Sequence, residues 1–213
     1  MNSGFPPMDF KIAVLGAGGV GKTSLLRAFF DQPFTTDHKP TVDDYFVHGI
    51  KLRGVFYNAC IVDTSGSFSF PVMRRFAISH CQGFVVTYAL NDEKSFQAAV
   101  STLDEIIDLK AGIGLKYKRI PVMLVANKFD CKDRQVSAVE AQAELNTRPW
   151  IVGLYTEVSC KTNSGVDGIF ESLLNLMQAI KEREQSKSDK SSSLRQSGRN
   201  SSRKKYNSGG GKK

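Results

Sequence analysis

The sequence predicts an α/β fold: a six-stranded, mostly parallel sheet with one antiparallel edge strand and helices on both faces. Three observations carry that prediction. Continuous apolar runs of strand length recur at Phe10–Leu15, Gly83–Ala89 and Ile120–Ala126, as expected of strands buried on both faces. Segments with helical periodicity separate them, and such alternation implies a parallel sheet covered on each side. Val42–Leu52 and Gly54–Val62 carry strand-forming residues around Arg53-Gly54, a hairpin turn that supplies the antiparallel edge.

Each element has its own local reason. Ser24–Phe30 reads as a helix that stops at Asp31-Gln32-Pro33, because proline has no N–H to continue it. Phe34–Thr41 is a polar loop, and Asp63–Gly66 ends the second hairpin strand. Phe70–Ile78 reads as a short helix. Asn91 is placed as the cap of the next one, in which Phe96, Val100, Leu103, Ile106 and Ile107 share a face. Ile120–Ala126 tolerates Pro121 near its start. A helix near Ser137–Asn146, a strand near Leu154–Ser159 and a last helix from Val166 complete the fold. That helix carries the stripe Val166, Ile169, Phe170, Leu173, Met177 and Ile180. Ligands of such sheets bind at the carboxyl ends of the strands.

The 213 residues suffice for one domain with an appendage. Residues 1–9 are read as an extension, 10–183 as the globular domain and 184–213 as a disordered tail. The tail is Ser, Lys, Arg and Gly with almost no apolar residue, a composition that cannot bury enough surface to fold. The net charge of +8 resides there: residues 181–213 hold eleven Lys/Arg and three Asp/Glu, leaving 1–180 neutral. A nucleic-acid-binding face on the domain is therefore not expected. No apolar run reaches the roughly 18 residues of a membrane-spanning helix. Neither a signal peptide nor a myristoylation or prenylation motif is read at the ends. Cys60, Cys81, Cys131 and Cys160 lie far apart without metal-ligand spacing, and are read as reduced thiols of a cytoplasmic protein.

Gly16-Ala17-Gly18-Gly19-Val20-Gly21-Lys22-Thr23 fits the phosphate-loop pattern, between a strand and a helix as that motif requires. Its backbone N–H groups, continuing through Ser24 at the helix N-terminus, are expected to converge on phosphate oxygens. Lys22 would reach the β- and γ-phosphates, and the Thr23 hydroxyl would ligate Mg²⁺. Asp63-Thr64-Ser65-Gly66 is weak alone, where a plain strand-to-loop turn explains it equally. Its position after a buried strand makes Asp63 an outer-shell Mg²⁺ group and the Gly66 N–H a γ-phosphate donor. Asn127-Lys128-Phe129-Asp130 selects the base. An ionised carboxylate only accepts hydrogen bonds, so Asp130 takes guanine N1–H and the 2-amino group together, whereas adenine offers neither. Lys128 would lay its stem along the base. Ser159-Cys160-Lys161, weak by itself, would add N–H donors to the guanine oxygen. GTP or GDP with Mg²⁺ is the expected ligand. A phosphate-loop kinase would leave Asn127–Asp130 without a role.

In this order and spacing, the motifs resemble the Ras superfamily of small GTPases, over about residues 8–182. The resemblance implies the G domain of the P-loop NTPases, a monomeric GTP hydrolase acting as a molecular switch in signal transduction. Its regulators would be exchange factors and GTPase-activating proteins. It matches Phe34 to the aromatic that packs on guanine. Thr41 matches the first-switch threonine that ligates Mg²⁺ and senses the γ-phosphate, and Thr41-Val42-Asp43-Asp44-Tyr45 matches the effector-binding segment. The run from Asp63 to Ser67 followed by Phe70–Arg75 is most similar to the Di-Ras and Dexras/Rhes branch. The catalytic set is then Lys22, Thr41, Gly66 and Ser67. Two departures bear on turnover. Ser67 stands where most Ras proteins carry the glutamine that orients the attacking water, and His38 replaces the usual first-switch tyrosine. Gly18 leaves room for a partner's arginine. Two readings stay open: a slow GTPase switch, and a GTP-loaded module that barely turns over. For the tail, weak electrostatic contact with an anionic membrane, a soluble or nuclear distribution, and a merely solubilising role all remain open.

Overall fold

The computed structural model describes residues 8–35, 44–64, 71–115 and 119–186. Two units are distinguished, 1–177 and 178–213. In the first, a six-stranded sheet has the spatial order β2-β3-β1-β4-β5-β6. The strands are β1 Phe10–Leu15, β2 Asp44–Leu52, β3 Val55–Asp63, β4 Gly83–Ala89, β5 Ile120–Asn127 and β6 Ile151–Glu157. β2 alone pairs antiparallel, through the Arg53-Gly54 turn to β3, with Leu52 opposite Val55; the other pairings are parallel. Both turn residues have positive φ (49° and 84°), the backbone a tight two-residue hairpin connection demands.

Strand alternation divides the core into two layers. Ala13, Leu15, Phe84, Val86, Val122, Leu124 and Ala126 point to one face. There they meet α2 (Pro71–His80), α3 (Glu93–Lys110) and α4 (Ala138–Asn146) through Ile78, Phe96, Leu103 and Leu145. Ile12, Val14, Val85, Met123 and Val125 point to the other. Here they meet α1 (Lys22–Phe29) and the helix over 169–177 through Leu25, Leu26, Phe170 and Leu173. Each fully buried aliphatic or aromatic side chain contributes about 1.5–3 kcal/mol, so this double layer dominates the stability of the fold. In the second unit, residues 178–186 are helical, three residues beyond the boundary read from composition; 187–213 lie outside the described residues.

Several local expectations shift. The α3 cap is Asp92 rather than Asn91: its carboxylate accepts from Ser95 N at 3.1 Å and its backbone is extended. Asp92 N bonds Ala89 O at 3.0 Å, so Asn91 is spent inside the turn. α3 also ends in a wide turn, Ala111–Leu115, with Gly114 at φ 83°. β6 begins at Ile151, not near Leu154, because parallel pairing with β5 starts at Ile120–Ile151. It ends before Ser159, which instead forms an isolated antiparallel bridge with Ser164. The final helix starts at 169 rather than Val166. All four cysteines are free. Among the described residues, no helix is long and apolar enough to cross a membrane.

Candidate nucleotide-binding site

The carboxyl ends of β1, β3 and β5, with the turn after β6, bring Gly16–Thr23, Asp63, Asn127–Asp130 and Ser159–Lys161 to one end of the sheet. β1 runs straight into Gly16. That glycine is buried at φ 143°, and a Cβ there would lie 2.1 Å from Thr87 O on β4. Gly21 has φ 100°, and its added Cβ would sit 2.2 Å from Asn127 Nδ2. Both positions therefore exclude a side chain, and the loop packs directly on the strands that carry the other motifs. Gly18 and Gly19 are exposed, while Val20 is buried. The segment leads into the α1 N-terminus, where Ser24 is half-buried in the first turn.

Lys22 is buried, and its Nζ donates to Gly16 O at 3.0 Å and Ala17 O at 2.9 Å. The ammonium is thus held across the mouth of the loop, where a cation is costly unless it meets anionic or carbonyl oxygens. Next to it, the Thr23 hydroxyl donates to Asp63 Oδ2 at 2.7 Å. Asp63 is buried at the end of β3. The following residue fixes it: the Thr64 hydroxyl donates to Val14 O at 2.7 Å, tying this end of β3 to β1. Thr64 is a positioning residue, and no local motif points to that role. Among the described residues no cluster of three or more His, Cys, Asp or Glu is present. One carboxylate beside one hydroxyl suits Mg²⁺, a hard cation that keeps waters and takes further oxygens from phosphates. The residues present fit that ion.

Two chain segments form the base end. Asn127 is buried; its Nδ2 donates to Val20 O at 2.8 Å and its Oδ1 accepts from Cys160 N at 3.2 Å. This side chain bolts the phosphate loop, the β5 loop and the turn after β6 to one another. Lys128 adopts φ 66°, and Phe129 N bonds Val158 O at 3.0 Å. Asp130 is exposed, with Oδ1 accepting from the Ser159 hydroxyl at 2.6 Å. That hydroxyl also accepts from Thr162 N at 3.2 Å. Cys160 is buried, and burial raises its thiol pKa to about 12. Lys161 is exposed. Phe34 is likewise exposed, at 43%. Tyr45 lies exposed on the edge strand β2, and Asp44 opens that strand. His38, Thr41, Val42, Asp43, Gly66 and Ser67 lie outside the described residues.

Comparison with known proteins agrees. The Ras family model matches residues 11–179. The chain is 36% identical over 169 residues to GTP-binding protein Di-Ras2 of Mus musculus and, equally, to that of Pongo abelii, covering 79% of this chain and 81% of the relative. To GTP-binding protein Di-Ras1 of Homo sapiens it is 34% identical over 168 residues, with 79% and 81% covered. The family match runs through the strands and loops that carry every contact above, and the chain accordingly belongs to the Ras family of small GTPases, GTP-binding switches that take GTP or GDP with Mg²⁺.

Proposed function

We propose that this chain is a switch whose intrinsic GTP hydrolysis is slow. The observation that carries the nucleotide reading is the buried Lys22 ammonium at the mouth of the loop, beside the 2.7 Å Thr23–Asp63 pair. In that reading Lys22 donates to the β- and γ-phosphate oxygens. Thr23 and Thr41 would hold Mg²⁺, with Asp63 in its outer shell. The Gly66 N–H meets the γ-phosphate, and Asp130 reads the guanine. Phosphoryl transfer leaves the protein little covalent chemistry, so catalysis rests on positioning and charge stabilisation. Mg²⁺ neutralises charge on the phosphates; the chain's own task is to aim the water. Ser67 fails at that task, because its hydroxyl ends two side-chain atoms short of a glutamine amide. Effectors, exchange factors and activating proteins are assigned to segments 34–45 and 63–76. The exposed Tyr45 on β2 supports the first of these.

Ser67→Gln is expected to raise single-turnover hydrolysis about tenfold, equivalent to 1.4 kcal/mol of transition-state stabilisation. An unchanged rate would move the limitation to His38 or to the loop that carries it. The second reading, a GTP-loaded module, is favoured by Ser67 and His38 together. The nucleotide on protein purified from cells separates the two: GDP marks the switch and GTP the module.

We also assign the tail a weak electrostatic role at the cytoplasmic face of an anionic membrane. Each Lys or Arg near such a surface contributes about 1 kcal/mol, less as salt screens it. Nine serines lie among the charges of residues 181–213, and each phosphate adds nearly −2. Four phosphorylations would therefore cancel the +8. The whole chain is expected to co-sediment with phosphatidylserine vesicles at low salt and to leave them by about 0.3 M salt, while a 1–182 truncation stays in the supernatant. Equal sedimentation of both would put the contact on the folded domain.

A further inference from the structure

The base-reading loop and the turn after β6 are separate stretches of chain that must keep one relative position if Asp130 is to meet a base. The Asp130–Ser159 and Asn127–Cys160 bonds join them at the site itself. A third connection lies behind the site. Arg134, four residues past Asp130, turns its guanidinium onto Glu157, the last residue of β6. Its Nη1 donates to Glu157 Oε2 at 3.0 Å, and its Nη2 donates to Oε1 in a second, shorter bond. Nε meanwhile donates to Val136 O at 2.8 Å. The Tyr155 hydroxyl donates to Glu157 Oε1 at 2.7 Å, and the Tyr88 hydroxyl lies 3.4 Å from that of Tyr155. The bonds from Arg134 are the main reason the Glu157 carboxyl is held below its ordinary pKa, so the pair is ionised.

These contacts close a ring. It passes along the backbone from Asp130 to Arg134, across the ion pair to Glu157, along the backbone to Ser159, and back through the Ser159 hydroxyl to Asp130. Beside it, Phe129 N bonds Val158 O. A partly exposed ion pair is ordinarily worth little. This one differs because it is bidentate, and because a planar guanidinium fork fixes both partners' orientation, which a single point charge does not. Asp130 is itself exposed, so the position of its carboxylate depends on the Ser159 hydroxyl bond and on how the two loop stems are held.

We propose that Arg134 and Glu157 are positioning residues for base discrimination: they hold the two loop stems so that the Asp130 carboxylate can take both N–H groups of guanine. The inference rests on Asp130 reading the base. It predicts a selective loss, since inosine diphosphate keeps N1–H but lacks the 2-amino group that the second carboxylate oxygen must find. In the whole chain, Arg134→Ala should speed GDP dissociation roughly fivefold while changing inosine diphosphate dissociation less, narrowing the preference between the two. Arg134→Lys keeps the charge without the fork and should show the same narrowing, so it carries the test if the alanine variant does not fold. If both nucleotides leave faster by one factor, or neither does, the pair is only a structural staple and the proposal falls, whatever happens to the melting temperature. Asp130→Asn run in parallel separates the two ideas. If it alters base preference while both Arg134 variants do not, the positioning role fails and the base-reading role stands. If it too has no effect, the base-reading role fails first.

Discussion

Lys22→Ala is expected to abolish tight GTP binding. The ammonium already sits where two oxygens face it, Gly16 O and Ala17 O, within 3.0 Å, and the side chain is buried between the loop and the sheet. A nucleotide phosphate offers stronger, charged acceptors at the same place. Two charge-assisted hydrogen bonds at about 2 kcal/mol each make a loss of about 4 kcal/mol, on the order of a thousandfold in affinity. Alanine also removes the only cation that the phosphate loop itself contributes, so the neighbouring backbone donors face the phosphates without it. Titration calorimetry on nucleotide-free protein measures this directly. Retained affinity within a few-fold of the parent would sink the phosphate-loop assignment. A drop in thermal stability of the nucleotide-free variant would show instead that Lys22 serves chiefly to bridge Gly16 and Ala17.

What the sequence disclosed follows from where the information is local. The buried runs of β1, β4 and β5 were legible because a strand covered on both faces is apolar at every position, and all three match within a residue. The phosphate loop was legible because its glycines, lysine and threonine are consecutive and lie between a strand and a helix. Boundaries were less so. Asp92 rather than Asn91 caps α3, since both residue types cap well and only the turn from Ala89 decides between them. β6 starts three residues before the Leu154 that local pattern indicates, because its start is dictated by pairing with Ile120 on another strand, which no local pattern records. The same limit hid Thr64, whose hydroxyl reaches Val14 across 50 residues, and Arg134, whose partner lies 23 residues on. Such contacts join residues that are ordinary in their own surroundings. An alternation of apolar side chains predicts a face; it does not predict which polar group crosses it.

Asp130→Asn should invert the base preference from guanine toward xanthine. The carboxylate accepts from guanine N1–H and the 2-amino group, and has no proton to give. Xanthine keeps N1–H but carries an oxygen at position 2, which meets the carboxylate as acceptor against acceptor. Asparagine replaces one carboxylate oxygen by an amide N–H₂, supplying the donor that the 2-oxo group needs and facing guanine's amino group with another donor. The structure supports that orientation: the Ser159 hydroxyl donates to Asp130 Oδ1 at 2.6 Å and is itself tied to Thr162 N. An amide oxygen in that place keeps the serine bond, and the amide nitrogen is turned to the base. Because the residue is exposed, the change costs the core nothing, and the variant is expected to fold as the parent does. Sites built on paired hydrogen bonds reject a mispaired partner by about 10⁴-fold, so the ratio of GTP to XTP affinity should shift by about that factor between parent and variant. Competition of both nucleotides against one fluorescent guanine analogue reads the ratio. If GTP and XTP affinities are unchanged in the variant, Asp130 does not read the base, and the exposed carboxylate serves only to hold the turn at Ser159.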